Sequence, residues 1–169
     1  MTTTQTGATL AACAIAITIM AVYLWKWWKG GRAIKDLFAM VQGFINGALA
    51  TICAGGLAGW LAGCTRQVAG GVGGKTVTGT TGADSGTAIA SGSLGQLTPE
   101  GGVVVVVLFV LLIVSYKTAS KDDKGRLIGF CIAGAILCVT AGVAGALDGL
   151  PALVNSLGLS GSNMLGGNA

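Results

Sequence analysis

Four long stretches of this chain, residues 6–28, 37–64, 99–116 and 127–147, are apolar and almost empty of charge. A helix rises about 1.5 Å per residue and the hydrocarbon core of a bilayer is about 30 Å thick, so about 20 such residues suffice to cross it. The first stretch carries no charge before Lys26, the second has only Gln42 and Asn46 as strongly polar members, and the fourth has no charge. Charged residues make up 9% of the 169, ten basic and six acidic, where a water-soluble domain carries about a quarter. The expectation is an all-α membrane protein with four transmembrane helices.

The third stretch is short and valine-rich, a pattern shared with β-strands. Its opening favours a helix, with Thr98 as cap, Pro99 at the first position and Glu100 in the first turn. A lone strand in lipid would also leave backbone groups unpaired.

The basic residues set the expected topology. Lys26, Lys29, Arg32 and Lys35 lie between the first two stretches, and Lys117, Lys121, Lys124 and Arg126 between the last two. A four-span path puts both turns on one side, and the positive-inside bias makes turns 26–36 and 117–126 cytoplasmic, with the N- and C-termini outside. Trp25, Lys26, Trp27, Trp28 and Lys29 at the end of the first span, and Tyr116 at the end of the third, read as interfacial anchors. Residues 1–25 hold no Lys or Arg and the basic cluster follows the apolar run, the reverse of a cleaved signal peptide. A retained first span is expected.

The layout is then a first transmembrane hairpin over 1–64, a Gly/Ser/Thr-rich exported loop over 65–98 that reads as a linker, a second hairpin over 99–149, and a tail over 150–169. Residues 151–157 are expected as a short interfacial helix and 160–169 as disordered.

The most specific motif is a stripe of small residues, Gly43, Gly47, Thr51, Gly55, Gly59 and Gly63, recurring every four positions. Residues four apart share one helix face, and in lipid a face without bulk lets two backbones touch. Gly134 and Gly142 repeat the device in the fourth stretch. Such faces serve either to hold the helices of one copy together or to join copies. Gln42 and Asn46 stand beside the stripe as intramembrane hydrogen-bonding groups.

Catalysis finds no equipment here. The chain has no histidine, and its six acidic residues fall in loops or at span ends rather than mid-membrane. Asp148 is the nearest candidate, and Gly149 and Pro151 mark it as a helix-terminating residue instead. Five cysteines without a CxxC pair give neither a disulfide framework nor a zinc pattern. Residues 69–76, ending Gly74-Lys75-Thr76, fit a relaxed phosphate-loop pattern, but that chemistry needs a strand before the loop and a helix after it. No cofactor, metal, nucleotide or nucleic-acid partner is expected. The expected partners are the lipid bilayer, further copies of the chain or other membrane proteins.

Residues 101–157, with the basic turn 117–126 and the ending Leu150-Pro151-Ala152-Leu153-Val154-Asn155, resemble the pilin subunits of conjugative type IV secretion systems. Those pilins have one hairpin, whereas two are expected here. The whole chain more loosely resembles small multi-pass proteins of bacterial mobile elements and phages, including transfer-associated and holin-type proteins. The resemblance implies a bacterial cytoplasmic or virion-associated membrane and assigns no residue a role. The leading expectation is a non-enzymatic, self-associating structural or pore-forming component of a membrane assembly for transfer, virion or lysis. Two others stand beside it: a small transporter or channel for a neutral solute, lined by Gln42, Asn46 and Thr51, and an accessory subunit of a larger complex.

Overall fold

A computed structural model describes residues 9–53, 56–82, 89–90 and 96–166. All the regular elements among them are helices: α1 (Leu10–Lys29), α2 (Ile34–Ile52), α3 (Gly56–Thr81), α4 (Pro99–Thr118), α5 (Lys121–Leu137), α6 (Ala141–Ala146) and α7 (Gly149–Gly166). Two of them, α1 and α4, are long and apolar enough to cross a membrane, and the bent pair α2–α3 makes a third if it counts as one span.

Local chemistry sets several of the boundaries. Thr9 Oγ1 accepts from the Ala12 N–H at 3.3 Å and starts α1. The helix ends at Gly30, whose N–H donates to the Lys26 and Trp27 carbonyls, and the chain reverses through Gly31 at φ 93° and Arg32 at φ 57°. Glycine meets that conformation without strain. Arg32 is held in it with its guanidinium 3.5 Å over the Trp28 ring. Thr98 caps α4 as expected, accepting from the Gly101 N–H at 3.1 Å, and Ser120 caps α5, accepting from the Asp123 N–H at 3.3 Å.

The α2–α5 seam forms the centre of the bundle. A Cβ added to Gly43 would stand 2.5 Å from the Leu127 carbonyl oxygen, one on Gly47 would strike the Cys131 carbonyl, and one on Gly134 the Phe44 carbonyl. Bare backbone therefore faces bare backbone, the close approach that small residues permit in lipid. On another side of α5, Gly129 leaves room for Tyr23 of α1, whose ring would lie 2.7 Å from a Cβ there. Leu49 and Ile52 of α2, Val105 of α4 and Val154 of α7 close a second cluster.

Four sequence expectations need correction. The second apolar stretch is not one helix over 37–64: α2 stops at Ile52, and α3 leaves at 104° to it. The adjacent pair Gly55–Gly56 is the weakest helical position in the stretch, and Gly59 lets the Cys53 carbonyl fold back against α3. The expected linker 65–98 is helical as far as Thr81. Thr65, Thr76 and Thr80 turn their hydroxyls onto carbonyls four residues back, and Ala69 packs among Ala12, Cys13 and Ala16 of α1. The fourth stretch, expected as 127–147, begins at Lys121 and breaks after Leu137, whose carbonyl accepts from the Thr140 N–H at 3.0 Å and the Thr140 hydroxyl at 2.7 Å while the Ala141 N–H donates to the Ala90 carbonyl at 2.9 Å. The C-terminal helix also outruns its expected 151–157, reaching into the segment read as disordered.

Candidate functional site

Both basic turns lie at one end of the bundle. There Arg126 Nη1 stands 3.0 Å from Asp36 Oδ1 and 2.8 Å from Asp123 Oδ1, tying the start of α2 to the start of α5. The Ser120 hydroxyl, bonded to the Asp123 carboxylate at 2.7 Å, holds that carboxyl below its ordinary range, with Arg126 and the Lys35 charge adding to the effect and burial opposing it.

Aromatic rings and cations alternate around the same end. Lys29 Nζ lies 4.3 Å from the Trp25 ring centre and Lys124 Nζ 5.4 Å from that of Tyr116. Trp27 donates from Nε1 to the Ala33 carbonyl at 2.9 Å. Trp25 and Trp28 are each 61% exposed and Lys26 is exposed beside them. Rings with one apolar and one polar aspect, flanked by lysine, suit the boundary between acyl chains and headgroups. Above this rim α4 turns Val103, Val106, Val110 and Ile113 outward, and α1 turns Ile17 and Val22 outward.

The polar pair Gln42 and Asn46 sits in helix contacts. Gln42 Nε2 donates to Ser115 Oγ at 3.1 Å, linking α2 to α4. Asn46 is 2% exposed; its amide donates to the Gln42 carbonyl of its own helix at 2.9 Å, and its Oδ1 has no partner.

The small-residue stripe divides according to its neighbours. Gly43, Gly47 and Gly134 are in backbone contact, and Gly59 faces the Cys53 carbonyl. Thr51 bonds the Ala48 carbonyl of its own helix at 2.6 Å. Gly63 and Gly142 have nothing within 4 Å of an added Cβ, and Gly55 lies outside the described residues. Residues 69–76 belong to α3, where Gly73 approaches the Ala11 carbonyl. Among the described residues no group of three or more His, Cys, Asp or Glu is placed to hold a metal ion.

Two features escaped the sequence reading. Asn155 of α7 clamps the entry to α4: its Oδ1 accepts from the Thr98 N–H at 3.0 Å and the Thr98 hydroxyl at 3.2 Å, and its amide donates to the Gln96 carbonyl at 3.2 Å. The available signal was its position as a lone amide after the apolar run 150–154. The second is an apolar groove of about 380 Å³, roofed by Leu61, Ala62 and Thr65 of α3 and walled by α4 and α5. Tyr116 lines it, and so joins the groove to the basic rim.

No protein-family model, curated protein or solved structure matches this chain.

Proposed function

We propose that this chain is a non-enzymatic integral membrane protein in which α1, α2, α4 and the α5–α6 pair each cross the bilayer, with both basic turns cytoplasmic and both termini outside. One observation carries the reading: the Asp36–Arg126 bridge gathers the basic turns at one end of a bundle whose α1 and α4 present apolar side chains on its flank. The positive-inside bias gives that end to the cytoplasm. Ala50 and Ala135, which pack on Ala62 of α3, lie about 24 and 21 Å along their helices from Ile34 and Lys121. That depth is near the far edge of a core about 30 Å thick, so α3 runs along the outer leaflet rather than through the membrane.

The role is structural, as a subunit of a membrane assembly of the transfer, virion or lysis kind. Gln42 and Asn46 are engaged in helix packing, which favours a scaffold over a solute path lined by them. Gly43, Gly47 and Gly134 are used within one copy, so association with further copies falls to the outward faces of α1 and α4.

The test is sidedness. Cysteine placed at Lys29 and at Lys121, in a chain cleared of its own cysteines, is expected to react with an impermeant maleimide only in inverted vesicles. Labelling from opposite sides, or release of the chain from membranes by an alkaline wash, would overturn the proposal.

A further inference from the structure

We propose that the groove between α3, α4 and α5 binds one acyl chain of an anionic phospholipid of the leaflet at the basic rim, with the headgroup held by Lys124. This rests on the membrane reading above.

Shape argues for a slim occupant. The groove follows α5 from Leu127 to Ala135, about 12 Å of helix. Its volume of about 380 Å³ lies at the lower end of the pockets that hold small apolar ligands, about 300–1,000 Å³. The walls, among them Ile113, Ile128 and Cys131, offer an extended chain mostly apolar contact, the Thr65 and Tyr116 hydroxyls being the polar side-chain groups of the lining. A peptide strand would leave its amides unpaired there.

Charge argues for the anion. Tyr116 lines the groove, and Lys124 Nζ lies 5.4 Å from its ring centre. Asp36 and Asp123 are both engaged by Arg126, and among the described residues no carboxylate pairs with Lys124. An ammonium with no ion-pair partner among the described residues, beside an acyl-sized groove at headgroup level, matches a phosphate carrying net negative charge.

The full-length chain in mixed micelles of phosphatidylglycerol and phosphatidylcholine with identical acyl chains, read by native mass spectrometry, tests this. One phosphatidylglycerol is expected to be retained in preference by roughly fivefold, the effect of one lysine at an anionic surface. Lys124→Gln should bring the ratio near unity with helix content unchanged by circular dichroism. Ile128→Trp, an exposed wall position, should lower retention of both lipids. Equal retention by the natural chain, a preference that survives Lys124→Gln, or retention indifferent to Ile128→Trp would each overturn the proposal. So would a dimer that Ile128→Trp dissolves while lipid retention persists. A chain that stays in the membrane after an alkaline wash yet shows no preference defeats the lipid site alone, whereas release by the wash defeats the membrane reading as well.

Discussion

Arg126 and Asp36, ninety positions apart in the chain, meet at 3.0 Å with only 15% and 22% of their side chains exposed. The contact joins the basic turn 26–36 to the basic turn 117–126. Arg126→Gln is expected to cost about 1–2 kcal/mol, above an exposed pair and below a fully buried one. In a double-mutant cycle with Asp36→Asn, thermal midpoints in detergent should show the double variant no less stable than the worse single one.

The same cluster predicts an acid limit. Asp123 has its carboxyl pKa depressed on folding, by the Ser120 hydroxyl first and by Arg126 after it. A depressed carboxyl contributes stability that is complete above its unfolded value, about 3.9, and lost as pH falls through the lower folded value. The thermal midpoint should hold from pH 8 to 5 on this account and fall below about pH 4, a fall that Asp123→Asn should blunt.

Glycine substitutions separate packing within one copy from packing between copies. Gly47→Ala drives a methyl into the Cys131 carbonyl and is expected to cost about 1–3 kcal/mol. Gly63→Ala and Gly142→Ala meet nothing within 4 Å and should be neutral or stabilise by up to about 1 kcal/mol. Crosslinked oligomers lost at Gly47→Ala with an unchanged monomer midpoint would contradict the internal seam.

Asn46 keeps its amide bonded within α2 and leaves Oδ1 unpaired in the core. Replacing such a group by an apolar one of similar size removes an unmet acceptor, so Asn46→Leu should leave the thermal midpoint unchanged or raised. Gln42→Leu breaks the bond to Ser115 and should lower stability by about 0.6–2 kcal/mol.

Asn155 holds Thr98 and Gln96 through three hydrogen bonds, and Gly158 beside it lies 2.5 Å, by an added Cβ, from the Glu100 carbonyl. Asn155→Ala is expected to loosen α7 from α4. Limited proteolysis should then cut within 156–166 at a rate at least about tenfold higher, equivalent to about 1.4 kcal/mol of local opening.

The α4 boundaries were legible from residues alone because their causes are local. Thr98, Pro99 and Glu100 begin that helix wherever the chain folds, and its run of valine and leucine needs no partner to be apolar. The basic turns 26–36 and 117–126 were legible for the same reason, since their lysines and arginines are close neighbours in sequence. The stripe was read as one continuous face, and there the reading stopped short: a repeat of small residues says that something packs closely, not what does.

The sequence by itself determined that the chain is helical and apolar, where α1 and α4 lie, where charge gathers and which positions lack bulk, because hydropathy and spacing act over a few residues. Only the tertiary structure decided that α3 turns away by 104°, that Gly47 meets Cys131, and that Asn155 grips Thr98. Those outcomes are contests between distant segments for the same backbone surface. The winner depends on three-dimensional fit, which no local pattern encodes.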